Sequence, residues 1–133
     1  MAHNIMSGKD PIIYGSGDQR RDFTYVSDVV EATLLAAEAE DLGGEVFNIG
    51  FGKDYSINEL FKILLDNISF KAGDIKPKYI ESYRGDFERT LADNSKARRT
   101  LGWKPKVDLN EGIEKFIEWF DFRLRNKGEV SEV

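Results

Sequence analysis

Residues 15–30, GSGDQRRDFTYVSDVV, set the order of the elements around them. The glycine-rich turn that opens this stretch follows PIIY at 11–14, an apolar run that is typical of a strand. Residues 22–26 are rich in β-formers and predict a second short extended piece. From Ser27 the apolar spacing becomes helical, and Ser27 is a candidate cap for that helix. The helix should end before Gly43 and Gly44.

The rest of the sequence predicts an α/β fold with short strands and four helices. Residues 45–50, EVFNIG, alternate between apolar and polar positions and predict a strand. SINE at 56–59 has the spacing of a capping box, in which a serine hydroxyl and a glutamate carboxylate pair with free backbone N–H groups. The apolar positions after it predict a helix of about three turns.

Three further elements follow in the C-terminal half. Residues 77–80, PKYI, predict an extended segment, and residues 83–86, YRGD, predict a loop. Residues 93–95 can cap a short helix that Gly102 ends. DLNE at 108–111 resembles a second capping box and begins a long amphipathic helix, after which residues 127–133 should form a frayed tail.

Composition limits the classes of function. The 133 residues suit one domain, and their 41% hydrophobic and 32% charged residues are typical of a folded protein. A net charge of -5 argues against binding to nucleic acid or to anionic membranes. Without cysteine, disulfides and thiolate chemistry are excluded, and no apolar run approaches membrane-spanning length. We therefore expect a cytoplasmic protein that contacts neither nucleic acid nor membrane.

Catalytic and cofactor-binding patterns are missing from these residues. His3 is the only histidine, and no nucleophile can be paired with a base. Neither glycine cluster has the dinucleotide-binding pattern, because an extended piece follows residues 15–17, and residues 50–52 lack the third glycine. No metal-ligand spacing is present. The sequence therefore predicts no catalytic residue and no metal site.

The residues that remain suit a phosphate-bearing ligand. Arg21 follows a glycine turn and Arg84 precedes Gly85, so both guanidinium groups should lie on loops, where ligand contacts concentrate. Tyr14 adds a flat surface for a base. From these residues alone, the arginines could equally form ordinary surface ion pairs.

Residues 15–30 resemble the G-x-G-x-x-x-R-D-F-x-Y-V-x-D-V-V segment of extended short-chain dehydrogenases/reductases. These are the NAD-dependent sugar-nucleotide epimerases and dehydratases of the UDP-glucose 4-epimerase type. Later motifs of the family are matched in order and cover nearly the whole chain: FNIG at 47–50, SINEL at 56–60, GD at 85–86, LADNSKA at 91–97 and LGWKP at 101–105.

The resemblance implies that residues 1–126 form the C-terminal sugar-nucleotide-binding lobe of such an enzyme. The family's Rossmann domain, with its G-x-x-G-x-x-G loop and Tyr-x-x-x-Lys pair, has no counterpart in these residues. NAD is therefore implied for the intact enzyme and not for this chain alone, which we expect to be inactive by itself. The chain is then a shortened gene product or one half of a split enzyme.

The resemblance also implies roles for individual residues. Tyr14 and its neighbours Ile12 and Ile13 match the positions at the base, and Arg21 matches the arginine that holds the diphosphate. Arg84 matches a later arginine that binds phosphate, and Asp86 matches the acid that binds a ribose hydroxyl. Ser56 matches a position that either contacts the ligand or only caps a helix. Structural roles are implied for Asp28, Asp93, Lys96 and Trp103. The family's Arg-x-Gly-Asp motif is altered, because Tyr83 stands where the arginine is expected.

The implied ligand is a nucleotide sugar, either a UDP-sugar or a dTDP-sugar. The competing hypothesis is an interaction or regulatory module that keeps the fold without binding a ligand. In either case we expect a homo-oligomer, because apolar surface that a Rossmann domain would cover should be exposed.

Overall fold

Two short pairs of strands hold distant parts of the chain together. In the computed structural model, which describes residues 1–68 and 75–125, β1 (Ile12–Tyr14) pairs in parallel with β4 (Lys78–Ile80). β2 (Arg20–Arg21) pairs antiparallel with β3 (Tyr55–Ser56). A parallel pair needs a long crossover, and here β2 and β3 lie within that crossover together with two helices.

The described residues form five helices around these strands. Their bounds are α1 Ala2–Met6, α2 Val26–Glu38, α3 Ile57–Asn67, α4 Ser95–Leu101 and α5 Leu109–Arg125. The predicted α/β class and the four longer helices are confirmed, and Gly102 ends α4 in the left-handed conformation. Among the described helices, none is long and apolar enough to cross a membrane.

The start of α3 confirms the predicted capping box. Glu59 donates its backbone N–H to Ser56 Oγ at 3.0 Å, and Ser56 N donates to Glu59 Oε2 at 2.7 Å. This fixes the direction in which α3 leaves β3, so that its apolar side meets α1, β1 and α5. The resulting core contains Ile5, Ile13, Phe61, Leu64 and Ile68, with Ile113 and Ile117 of α5 packed against it.

A second core forms between α2 and α4 around Trp103, with Ala32 and Ala97. The buried Asp28 connects this core to the segment before α5. Trp103 Nε1 donates to the backbone oxygen of Asp28 at 2.9 Å. The backbone N–H groups of Lys106 and Val107 donate to the carboxylate of Asp28. Asp28 and Trp103 thus have the structural roles that their motif positions imply.

Several sequence-based expectations were wrong. Residues 45–50 form no strand within the described chain, because no strand lies beside them to complete a ladder. The extended piece expected at 22–26 is displaced, since pairing occurs at Arg20–Arg21.

Tyr25, not Ser27, is the cap of α2 and makes no side-chain cap bond. Helix α1 was missed because five residues give little periodicity. The tail at 127–133 lies outside the described residues.

The Asp22 carboxylate joins three segments that are far apart in sequence. It accepts backbone N–H bonds from Phe51 at 2.9 Å, Gly52 at 3.0 Å and Ala92 at 3.1 Å. Gly50 lies within this junction, where a Cβ atom would be 2.4 Å from the Ala92 Cβ and 2.8 Å from Asp22 Oδ2. The junction therefore excludes any side chain at position 50.

We predict that Gly50→Ala lowers the free energy of unfolding by about 1–3 kcal/mol, the usual cost of overpacking. Urea denaturation followed by tryptophan fluorescence measures this change. The double variant Gly50→Ala with Ala92→Gly removes the closer clash and should recover part of the loss. Equal stability of Gly50→Ala and wild type would show that the junction has room for a Cβ atom at position 50.

Candidate nucleotide-binding site

Tyr14 lies at the end of β1 with its ring against that of Tyr83. The two ring centroids are 4.4 Å apart and the planes are tilted by 29°, which is a stacked arrangement. Tyr14 is 37% exposed and Tyr83 is 65% exposed, so the pair is on the surface. A hydrogen bond with Tyr14 is the main cause that raises the pKa of the Tyr83 hydroxyl above its ordinary value.

A shallow depression of about 430 Å³ lies beside this aromatic pair. Ile13, Tyr14, Arg84 and Asp86 all line it, so most of the residues that the resemblance assigns to a ligand lie together. The Ile13 side chain is only 1% exposed and packs into the core. Its contribution to a surface site is therefore limited to its backbone.

Arg21 is held next to the same depression by its contact with Asp86. Its Nη2 donates to Asp86 Oδ1 at 2.5 Å, and its Nη1 donates to the backbone oxygen of Arg20 at 2.7 Å. The Arg21 side chain is 23% exposed, and that of Asp86 is 35% exposed. The expected surface ion pair and the expected anion site thus involve the same arginine.

The neighbouring Arg20 belongs to a separate ionic cluster. Its Nε donates to Asp54 Oδ1 at 2.9 Å and its Nη1 lies 3.2 Å from Glu59 Oε2, while Arg89 Nε donates to the other Asp54 oxygen. Hydrogen bonds from Arg20 and Arg89 lower the pKa of Asp54, and the backbone N–H of Ser56 lowers that of Glu59. The two arginines are balanced by two carboxylates, so the cluster leaves no unpaired positive charge for an anionic ligand. We therefore interpret the cluster as structural.

Ser56 serves the fold and offers little to a ligand. Its side chain is buried, and its hydroxyl accepts the N3 backbone bond of the cap. Arg84, by contrast, is exposed at the tip of the 83–86 loop. Arg84 lines the depression, although Tyr83 holds the usual arginine position of the motif.

Sequence reasoning missed the contribution of two residues. Gln19 lines the depression and donates its side-chain amide to the Tyr14 backbone oxygen at 2.6 Å. Tyr83 was identified as a departure from the motif, but nothing in the sequence indicated that it would stack on Tyr14. Within residues 1–68 and 75–125 no group of acidic or histidine side chains could hold a metal ion, and His3 packs edge-on against Phe120.

Comparison with known proteins identifies the family. Residues 1–116 match the model of the GDP-mannose 4,6 dehydratase family. A UDP-glucose 4-epimerase of Mycolicibacterium smegmatis is 37% identical over 125 residues, which cover 94% of this chain and 37% of that protein. The chain spans about a third of the length of the first curated relatives that it matches.

Solved structures agree with this assignment. The UDP-glucose 4-epimerase of Thermotoga maritima with UDP-glucose has a TM-score of 0.85 and 40% identity, over 92% of this chain and 38% of that one. The UDP-glucuronic acid 4-epimerase of Bacillus cereus with UDP-glucuronic acid and NAD has a TM-score of 0.77 and 31% identity, over 90% of this chain and 40% of that one.

We predict that Asp54→Asn destabilises the protein at neutral pH. The folded-state pKa of Asp54 lies below its unfolded value, so its contribution is complete above about pH 5 and is lost as the pH falls through the folded pKa. The gap between the wild-type and variant urea midpoints should therefore narrow below about pH 4. Asp66→Asn, at an exposed position of α3, is the control. A gap that is independent of pH would contradict the prediction.

Proposed function

Because the chain belongs to the GDP-mannose 4,6 dehydratase family of extended short-chain dehydrogenases/reductases, we propose that it is the nucleotide-sugar-binding part of an NAD-dependent epimerase or dehydratase. The observation that carries the proposal is the grouping of Tyr14, Arg84 and Asp86 around one depression, with Arg21 paired to Asp86 beside it. The relatives named above are UDP-sugar enzymes, which favours a UDP-sugar as the ligand.

Each side chain of the site would supply one type of contact. The Tyr14 ring offers a face on which a pyrimidine base can stack, beside the backbone of Ile13. Arg21 can present two parallel N–H donors to phosphate oxygens, and Arg84 adds a second positive charge. Asp86 would accept a hydrogen bond from a ribose hydroxyl. Together these groups would fix the nucleotide and leave the sugar free to extend away.

Catalysis would depend on groups that these 133 residues do not contain. Neither a G-x-x-G-x-x-G loop nor a Tyr-x-x-x-Lys pair occurs in them. When bound to an intact enzyme of this type, NAD supplies hydride transfer to and from the sugar. The role of this part would be to orient the nucleotide sugar for that transfer.

A second candidate, an interaction module, is favoured by the apolar surface of α2. Val26, Val29, Val30 and Leu34 are all exposed on this helix. Exposed apolar patches of this kind mark contacts with other chains. The two candidates are separated by whether the protein binds a nucleotide at all.

We predict that Arg21→Ala weakens UDP binding by about 1.5–3 kcal/mol, the range for hydrogen bonds to charged groups, and that Arg21→Lys recovers part of the loss. Ligand-observed NMR with UDP and dTDP measures this for each variant, with circular dichroism to verify folding. Arg99→Ala, an exposed arginine of α4, is the matched control. Binding to wild type and equal binding to Arg21→Ala would refute the anchor role. No binding to wild type would favour the interaction module.

We also predict that the isolated chain self-associates through α2. At roughly 25 cal/mol per Å² of apolar surface, burial of this face would stabilise a dimer. Sedimentation velocity should show a dimer for wild type and a monomer for Val30→Lys with Leu34→Glu. Phe122→Glu, which changes an exposed aromatic residue of α5, should leave the dimer intact. A wild-type monomer at high concentration would exclude the idea.

A further inference from the structure

The loop that follows β4 contacts both of the groups that we assign to nucleotide binding. This loop, residues 82–86, places the Tyr83 ring on the Tyr14 ring and the Asp86 carboxylate on the Arg21 guanidinium. The two contacts are made by residues only three positions apart. One short segment therefore covers the base position and the phosphate position together.

The chemistry of the two contacts resembles that of the ligand. A pyrimidine base would stack on Tyr14 through its π-face, as the Tyr83 ring does. A diphosphate would offer anionic oxygens to Arg21, as the Asp86 carboxylate does. The loop thus presents an aromatic ring and an anion to the two sites, which are the two features that a nucleotide presents.

We propose that the 82–86 loop is an internal competitor of the nucleotide, which must displace Tyr83 from Tyr14 and Asp86 from Arg21 before it can bind. Once released from Arg21, the Asp86 carboxylate is free to accept the bond from the ribose hydroxyl. This inference rests on the proposed function. Because only the open form of the loop is competent, the apparent affinity equals the intrinsic affinity reduced by the open fraction. Tyr83 and Asp86 then determine how tightly the free protein holds a nucleotide.

The construction of the loop allows it to move while the anchors stay in place. Tyr83, Arg84 and Asp86 are exposed, and Gly85 has a φ of +89° with nothing within 4 Å of its Cβ position. A backbone bond from Asp86 N to the Tyr83 oxygen, at 3.2 Å, closes the turn, so both residues can move as a unit.

Both anchors also have contacts that do not involve the loop. Gly15 N donates to the Ile80 oxygen at 2.8 Å and Gln19 holds the Tyr14 oxygen, which together fix the end of β1. Arg21 also donates to the Arg20 oxygen at 2.7 Å, a contact within β2 that the loop does not provide. Opening of the loop would therefore expose both anchors without dismantling them.

The test separates the two contacts by using two partial ligands. Uridine reports on the Tyr14 position, and inorganic pyrophosphate reports on Arg21 without any ribose contact from Asp86. Ligand-observed NMR titrations should show that Tyr83→Ala binds uridine about two- to tenfold more tightly than wild type, the range of a lost aromatic stack. Tyr83→Phe keeps the stacked ring and loses only the hydroxyl contact with Tyr14, so it should gain less affinity for uridine than Tyr83→Ala does.

The carboxylate is tested in the same way with pyrophosphate. Asp86→Asn should bind pyrophosphate more tightly than wild type by up to about fivefold, as expected when a competing surface ion pair is removed. Glu88→Gln removes the same charge from a nearby residue that does not contact Arg21, and should have little effect. Equal gains in both variants would assign the effect to net charge and would overturn the role of Asp86.

The outcomes distinguish this inference from the proposed function. If Tyr83→Ala binds uridine no more tightly than wild type, while wild type still binds UDP through Arg21, the competitor role is wrong and the binding role stands. If neither wild type nor Tyr83→Ala with Asp86→Asn binds UDP, both ideas fail. A larger gain in uridine affinity for Tyr83→Ala than for Tyr83→Phe supports the proposal.

Discussion

The Asp22 carboxylate is the constraint on which the rest of the structure depends. Its two oxygens accept three backbone N–H groups, from the loop at 51–52 and from Ala92 before α4. Asp22 is partly buried, and a carboxylate withdrawn from water without partners would be costly, whereas one with several backbone donors is stabilised. Because Asp22 directly follows Arg21, the same junction fixes the position of the candidate phosphate anchor.

This junction also explains why the chain needs glycine at position 50. The backbone at 50–52 must approach Asp22 and Ala92 closely enough to donate two bonds, and a Cβ at Gly50 would prevent it. The glycine is therefore required by close approach and not by a special backbone conformation. Packing and hydrogen bonding are coupled here, so a change on one side of the junction is expected to affect the other.

Two local signals in the sequence predicted local structure correctly. The capping box at 56–59 and the glycine after α4 are satisfied within a few residues, and both behave as predicted. Residues 45–50 failed because a strand depends on a neighbour that the local pattern does not specify. The geometry of the site could not be predicted for the same reason, because the stacking of Tyr83 on Tyr14 joins positions 69 residues apart.

The two adjacent arginines show why motif position alone does not assign a role. Arg20 and Arg21 are consecutive in a strand, so their side chains leave on opposite sides. Arg20 meets Asp54 and Glu59, and removing those carboxylates would cost the fold. Arg21 meets a carboxylate on an exposed loop. A phosphate would exchange that charge-assisted bond for another of the same kind, which is why we propose Arg21, and not Arg20, as the arginine that binds a ligand.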